Sequence, residues 1–416
     1  MNPGLKDLQK YPFEKLALLK AGVEPVAVYK DSPINISIGE PKHEAPAFVL
    51  EKLKQSLAGL SIYPLTAGSD ELRESIAAWL SMRFKLGDSI SAAKHILPVN
   101  GTREALFAAA QCFVQPGLES LVLMPNPFYQ IYEGAAILAG SRPHYIPVKK
   151  ETMLPDFDQV EEAAWKAASF MYICTPGNPT GAVMKEEMLV ALIEKALKYN
   201  FVLASDECYS ELYFDEKNPP CGILQAAKAM GNDSFKNCLA FHSLSKRSSL
   251  PGMRSGFVAG DSALIETFRL YRTYQGGAMP PPIQAASAAA WSDEVHVKEN
   301  RDLYRLKFEQ CTAILKQNKN IDATIPDGAF YLWLDTSASR AENDEVFARE
   351  LFREKNITVL PGSYLGRIQA IETEQAKESK QATKAECNPG ADYVRIALVA
   401  KPEECAEAMK RIVDFY

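Results

Sequence analysis

The chain lacks the features that would assign it to a membrane, a secretory or a nucleic-acid-binding class. Its 416 residues contain no run of about 18 apolar residues, which a membrane-spanning helix needs. The first twenty residues mix both charge signs and contain no apolar stretch of about 7–15 residues, so no secretory leader is predicted. Lys and Arg number 46 against 52 Asp and Glu, and the net charge of −6 argues against binding to nucleic acid or an anionic membrane. We therefore expect a cytoplasmic protein.

Cysteine and histidine are scarce and follow no metal-binding pattern. The eight cysteines include no C-x-x-C pair, and the five histidines include no H-E-x-x-H. In a chain of this length these cysteines indicate reduced thiols rather than a disulfide framework, and no metal site is predicted. Hydrophobic residues make up 47% and charged residues 24%, as in a globular protein, and the length suggests two to three domains.

From about residue 95, short β-rich runs alternate with longer helical patterns. Most of the runs are nearly continuous in apolar residues, as parallel strands covered on both faces require, so an α/β domain with a mainly parallel sheet is predicted. The predicted strands are 96–99, 120–124, 169–174, 201–205, 238–242 and 256–259. The predicted helices are 102–114, 128–139, 185–199 and 262–274.

Three consecutive prolines at 280–282 mark a change of pattern. Helices and strands then mix in a way that predicts a smaller α+β domain. The predicted elements are helices at 283–316, 343–355 and 402–414 and strands at 329–334 and 392–398. Residues 368–389 are polar and rich in Glu, Lys, Gln and Ala, and we expect an exposed insertion there. No internal repeat is present in the sequence.

Residues 241–256 contain the side chains best suited to chemistry. A lysine such as Lys246, among small residues at a strand end, can lose its hydration, which lowers its pKa and frees its amine as a nucleophile. Ser243, Ser245 and Arg254 could together hold a phosphate, with the arginine supplying a planar fork of donors. Taken alone, a lysine at a strand end is more often a solvated surface residue.

Three further polar stretches follow predicted strands. In the first, Gly101 permits close backbone approach and the helix start offers unpaired N–H groups to an anion, although an ordinary N-cap at Thr102 is the commoner meaning. In the second, a turn with two prolines and two glycines would fix Asn178 at the carboxyl edge of the sheet, unless it is a plain loop. In the third, Asp206 ends an apolar run, and if it is not in a surface turn it needs a cation nearby.

In this order and spacing the stretches resemble the fold-type-I, pyridoxal-phosphate-dependent aminotransferases of class I/II. The resemblance extends from residues 36–41 to residues 393–397. It implies an α/β fold in which a mainly parallel seven-stranded sheet lies between helices, with a smaller α+β domain beside it. The expected division is an N-terminal arm with part of the small domain (1–45), a large cofactor-binding domain (46–282) and a small C-terminal domain (283–416).

The resemblance implies how the cofactor is held. Lys246 would bond to the cofactor aldehyde and then move a proton at the substrate Cα. Asp206 would face the pyridine nitrogen, Tyr129 would stack on the ring, and Asn178 and Tyr209 would hydrogen-bond to the phenolic oxygen. The expected phosphate-binding residues are Gly101, Thr102, Arg103, Ser243, Ser245 and Arg254.

The resemblance also implies substrate and subunit contacts. Arg395 would pair with the substrate α-carboxylate, assisted by Asn178 and the backbone near Gly39. Tyr63 would reach across a homodimer to the partner's phosphate site, so that a monomer would have an incomplete site. No nucleic acid or membrane partner is expected.

The sequence leaves the substrate less certain than the chemistry. The residues around Lys246 and the insertion before Arg395 are similar to those of N-succinyl-L,L-diaminopimelate aminotransferases of bacterial lysine biosynthesis, which use glutamate as the amino donor. One alternative is an aminotransferase for alanine, aspartate, methionine or an aromatic amino acid, or a β-C–S lyase on the same fold. Another is the sensor domain of a transcription regulator, although residues 1–40 are too short and not basic enough for a DNA-binding module.

Overall fold

The computed structural model describes residues 1–117, 119–372 and 384–416, and for 370–372 and 384–386 it describes the backbone alone. The strands are β1 Ile34–Asn35, β2 Ile96–Val99, β3 Leu121–Asn126, β4 Arg142–Pro147, β5 Ala168–Cys174, β6 Val202–Asp206, β7 Cys238–Ser243, β8 Gly256–Gly260, β9 Tyr331–Asp335, β10 Ile357–Thr358, β11 Leu360–Pro361, β12 Gln369–Glu372, β13 Lys384–Cys387 and β14 Tyr393–Ala397.

Helices follow most of the strands. They are α1 Pro12–Lys20, α2 Ala47–Gln55, α3 Asp70–Arg83, α4 Thr102–Phe113, α5 Ile131–Leu138, α6 Glu162–Ala167, α7 Glu186–Tyr199, α8 Ile223–Ala229, α9 Leu244–Arg247, α10 Ser262–Gln275, α11 Pro281–Trp291, α12 Val295–Leu315, α13 Asp344–Lys355 and α14 Pro402–Val413. Within the described ranges, no helix combines the length and the apolar character needed to cross a bilayer.

A seven-stranded sheet forms the centre of the fold, in the order β2-β8-β7-β6-β5-β3-β4. The strand β8 runs antiparallel to β7 and β2, and the other neighbouring pairs are parallel. Alternate residues of β5 belong to different apolar clusters: Met171 and Ile173 pack with α3, α7, α8 and α11, whereas Phe170 and Tyr172 pack with α4, α5 and α10. Both faces of the sheet are therefore covered, as the apolar strands predicted, and the predicted fold class is confirmed.

A second, antiparallel sheet has the order β11-β14-β9 and packs against α12, α13 and α14. Ile34 and Ile36, from the N-terminal part of the chain, belong to the same apolar cluster. The N-terminal helix α1 buries Leu16 against Leu360 and Leu365. Both ends of the chain thus contribute to this part of the molecule, while the domain boundaries at 45 and 282 remain a prediction.

Two differences between the predicted and the observed elements have a cause that the structure shows. The strand β4 was not predicted, because its sequence is polar and contains two prolines, which an edge strand tolerates. The single helix predicted at 283–316 is two helices, α11 and α12, since the Asp293 carboxylate accepts a hydrogen bond from the backbone N–H of His296 (3.0 Å) and starts a new helix.

The predicted insertion at 368–389 lies partly outside the described residues. Its two described ends, β12 and β13, pair as antiparallel strands, with Gln369 opposite Cys387. The eight cysteines are all free.

Candidate active site

The carboxyl ends of the parallel strands open into one cavity of about 380 Å³. Because parallel strands end at the same edge of a sheet, the polar stretches that follow β2, β3, β5, β6 and β7 meet there. The predicted site residues that line the cavity are Gly39, Thr102, Arg103, Tyr129, Asn178, Asp206, Tyr209, Ser243, Ser245, Lys246, Arg254 and Arg395.

Lys246 lies in the short helix α9, directly after β7. Its amine donates a hydrogen bond to the Gly39 carbonyl (3.0 Å) and lies 5.4 Å from the centre of the Phe330 ring. Burial lowers the pKa of Lys246 to about 8, and the positive charge of Arg395 acts in the same direction. The amine is therefore unprotonated far more often than that of an ordinary lysine, as a nucleophile or base requires.

One end of the cavity is suited to an anion such as a phosphate. The helix α4 begins there at Thr102, and the first N–H groups of a helix have no partner within the helix. Ser243 and Ser245 are buried beside it, with their hydroxyl oxygens 3.0 Å apart. Gly101 does not itself line the cavity, and a Cβ there would overlap the Arg254 guanidinium. The predicted approach of the Gly101 backbone to a phosphate stays a prediction.

Asp206 is the last residue of β6 and is almost completely buried. Burial raises its pKa, while hydrogen bonds stabilise the carboxylate: the Tyr132 hydroxyl donates to Oδ2 (2.7 Å) and the Cys208 backbone N–H donates to Oδ1 (3.3 Å). Within the described residues Asp206 makes no salt bridge. A buried acid that lacks a cationic partner fits the ring nitrogen of a bound pyridinium.

The opposite side of the cavity is suited to a carboxylate. Arg395, on β14, donates to Asn178 Oδ1 (2.9 Å) and to the Ser37 carbonyl (3.0 Å), which fixes its guanidinium. Its Nε is buried and has no hydrogen-bond partner in the described part of the chain. The hydroxyls of Tyr209 and Tyr331 are 3.0 Å apart, and burial raises the pKa of Tyr209 well above its usual value, so this phenol stays protonated.

Several residues around the cavity were missed by the sequence argument. Tyr11 and Tyr331 line it, Tyr132 contacts Asp206, and Cys208 lies 2.9 Å from the Thr102 hydroxyl. Tyr331 lies within an apolar run typical of core residues, Tyr132 lies within a predicted helix, and Tyr11 precedes an ordinary helix. Cys208 is the exception, because it directly follows the Asp206–Glu207 pair and its position beside a predicted site residue was a usable signal.

Tyr63 does not line the cavity. Its side chain is 98% exposed, and Leu60, Ile62 and Leu65 beside it are exposed as well. The position agrees with a residue that serves a partner's site, and that role stays a prediction.

The fold and this cavity define a class of enzyme. Residues 31–412 match the family model described as aminotransferase class I and II, so the chain belongs to this family. The protein is accordingly a fold-type-I aminotransferase that depends on pyridoxal phosphate and, like its family, acts on amino acids and 2-oxoacids. The anion-binding end, the buried acid and the lysine amine all fit this cofactor.

Individual relatives agree with this assignment. A crystal structure of an aminotransferase from Neisseria meningitidis is 44% identical, covers 100% of both chains and has a TM-score of 0.90. The aminotransferase AspB from Helicobacter pylori is 34% identical over 98% of both chains, with a TM-score of 0.84. A protein of Maridesulfovibrio salexigens named LL-diaminopimelate aminotransferase is 27% identical over 98% of this chain and 97% of its own length.

Proposed function

We propose that the enzyme transfers the amino group of a diaminopimelate-type amino acid to 2-oxoglutarate, and the reverse, in lysine biosynthesis. The preferred form of this substrate is N-succinyl-L,L-diaminopimelate. The place in the pathway is supported by the relatives named LL-diaminopimelate aminotransferase. Such a biosynthetic role corresponds to the expected cytoplasmic location.

The choice of the succinylated form rests on the charges around the cavity. Four cationic side chains line it: Arg103, Lys246, Arg254 and Arg395. Asp206 is the single carboxylate among the described lining residues, and it lies at the cofactor end. A free diaminopimelate carries a distal ammonium, which would meet no carboxylate in this lining, whereas succinylation removes that charge and adds a carboxylate.

The cofactor-binding residues act at both ends of the pyridine ring. The backbone at Gly101, Thr102 and Arg103, with Ser243, Ser245 and Arg254, would hold the phosphate. Asp206 would keep the ring nitrogen protonated, Tyr129 would pack on the ring face, and Asn178 and Tyr209 would donate hydrogen bonds to the phenolic oxygen. When bound, pyridoxal phosphate supplies an electron sink for the carbanion at the substrate Cα.

This chain's own residues orient the substrate and move its proton. Arg395, already held by Asn178 and Ser37, pairs with the α-carboxylate and thereby fixes the Cα–H bond. The unprotonated amine of Lys246 would remove the proton from the substrate Cα and hold it beside the substrate. Burial lowers the pKa of this amine to about 8, so the amine can both accept and release a proton near physiological pH.

The distal part of the substrate lies toward the N-terminal segment. Tyr11, Pro12 and Phe13 line the cavity, and the Arg103 guanidinium lies 5.3 Å from the centre of the Tyr11 ring. The Arg103 guanidinium forms no hydrogen bond or salt bridge with the described residues, so it is available to a distal carboxylate, while the Arg103 backbone N–H would serve the phosphate.

A substrate comparison tests this proposal. With 2-oxoglutarate as acceptor, we expect kcat/KM for N-succinyl-L,L-diaminopimelate to exceed that for free L,L-diaminopimelate, aspartate and alanine by at least about tenfold, or about 1.4 kcal/mol. The measurement is coupled formation of glutamate. Higher kcat/KM for the free compound would favour the second candidate, LL-diaminopimelate, which the names of the relatives support. A kcat/KM for aspartate or alanine equal to that for the diaminopimelate compounds would contradict both candidate functions. Release of pyruvate and ammonia would contradict them as well.

A further inference from the structure

The short helix that carries Lys246 is held at its carboxyl end by a side chain far away in the sequence. The last carbonyls of any helix have no partner within the helix. In α9 they include the carbonyls of Lys246 and Arg247, and the Asn300 side-chain amide donates to both, at 3.1 and 3.2 Å. Asn300 lies on α12 and is buried. This amide therefore determines where the backbone of Lys246 sits.

The orientation of the Asn300 amide is fixed by His43. The Asn300 Oδ1 atom is 2.7 Å from His43 Nδ1, and His43 Nε2 is 2.7 Å from the Lys307 amine. A lysine ammonium has donors and no acceptor, so Nε2 accepts and Nδ1–H donates to Asn300. Burial and the charge of Lys307 lower the pKa of His43, in agreement with this neutral ring.

Lys307 anchors the far end of this chain of hydrogen bonds. Its amine is buried and also donates to the Val399 carbonyl (3.3 Å), two residues beyond the end of β14, which carries Arg395. The backbone carbonyl of His43 accepts a hydrogen bond from the Ser249 hydroxyl (2.9 Å). Gly39, four residues earlier, accepts the hydrogen bond from the Lys246 amine. The 39–43 segment thus contacts Lys246 at its amine and, through Asn300, at its backbone.

We infer that Lys307, His43 and Asn300 are positioning residues for Lys246, and that their hydrogen-bonded chain sets the distance between its amine and the substrate Cα. This inference rests on the proposed role of Lys246 as the base. Proton transfer requires reacting atoms about 3–3.5 Å apart, and a displacement of about 1 Å can cost about 10²-fold in rate. None of the three residues lines the cavity, so they act through Lys246 and not on the substrate.

The test measures the rate constant for Cα–H removal in single turnovers of the holoenzyme with L-glutamate, protiated or deuterated at Cα. We expect His43→Phe, which cannot donate to Asn300, to lower this rate constant by about 10- to 100-fold, with a full deuterium isotope effect and KM within about twofold. His43→Gln can both accept from Lys307 and donate to Asn300, so it should restore most of the rate. Lys307→Met is a second variant, should His43→Phe fold poorly.

The control is Asn343→Ala, which removes the cap of α13, where Asn343 Oδ1 accepts from the Val346 N–H (2.9 Å), away from the cavity. It should lower stability and leave the rate constant unchanged. If His43→Phe behaves like this control, losing active molecules but keeping the rate constant per bound cofactor, the inference is wrong. If Lys246→Ala retains fast Cα–H removal, the role of Lys246 in the proposed function is wrong instead. If L-glutamate does not react, its assignment as the amino donor is wrong. The rate constants for Cα–H removal are then measured with L-alanine.

Discussion

At the scale of single residues, the pKa of Lys246 controls the reactivity of the site. An exposed lysine, with a pKa of 10.5, is almost fully protonated at neutral pH, whereas burial brings the pKa of Lys246 to about 8. The nearby carboxylate of Asp206 opposes the shift and Arg395 and Arg254 favour it, so the amine responds to the whole cavity. In the proposed function the same amine bonds to the cofactor, and only its unprotonated form can do so.

We predict that reconstitution of the apoenzyme with pyridoxal phosphate accelerates as the pH rises to about 8. Below the pKa the unprotonated fraction of Lys246 grows about tenfold per pH unit, and above it the fraction saturates. The measurement is the rate of appearance of bound-cofactor absorbance from about pH 6 to about pH 10. Lys246→Ala is the control and should bind the cofactor without the absorbance change that bonding to the lysine causes. A rate still rising tenfold per unit near pH 10 would indicate an unshifted lysine.

At the scale of elements, the junction between β2 and α4 decides whether the phosphate end can form. Gly101 has a φ of +85°, and Arg254, from the loop before β8, occupies the space where a Cβ would lie. The sequence indicated that Gly101 permits a close approach. The group that approaches it is the side chain of Arg254, more than 150 positions later in the chain. The backbone conformation therefore favours glycine, and a Cβ there would force the Arg254 guanidinium to shift.

We predict that Gly101→Ala weakens cofactor binding by at least about tenfold, because Arg254 must move away from the phosphate end. Gly231 provides the matched control, since it has a φ of +84° and open space where a Cβ would lie. Both alanine variants should lose about 1–2 kcal/mol of unfolding free energy through backbone strain. Urea unfolding and titration of the apoenzymes with pyridoxal phosphate separate the two effects. Equal cofactor affinity of the two variants would contradict the role given to Gly101.

At the scale of the whole molecule, the exposed apolar patch of Leu60, Ile62, Tyr63 and Leu65 suggests that the enzyme works as a dimer. Their side chains are 64% to 98% exposed in a single chain. Apolar patches of this kind on an otherwise polar surface mark interfaces between subunits, and a twofold dimer is the commonest arrangement. If Tyr63 serves the partner's phosphate site, each active site needs two chains.

A mixing experiment tests this dependence. Tyr63→Ala, assayed at limiting cofactor, and Lys246→Ala should each have little activity as separate homodimers. In a mixed dimer, one site receives Lys246 from one chain and Tyr63 from the other, so refolding the two variants together should restore about a quarter of wild-type activity. Light scattering should give twice the mass of one chain. If mixing restores no activity, or if a monomer is fully active, Tyr63 does not act across an interface.

The sequence by itself determined the alternation of elements and the residues at the strand ends. Apolar strands and helix periods are local patterns, and parallel strands share one carboxyl edge, so Thr102, Asn178, Asp206 and Lys246 had to meet. Only the tertiary structure decided which side chains hold these residues. Tyr132 donates a hydrogen bond to Asp206, and Asn300 donates one to the backbone of Lys246. His43 and Lys307 in turn hold Asn300. Such hydrogen bonds join residues far apart in the chain, where no local period or spacing records them, and they exist only once the elements have packed.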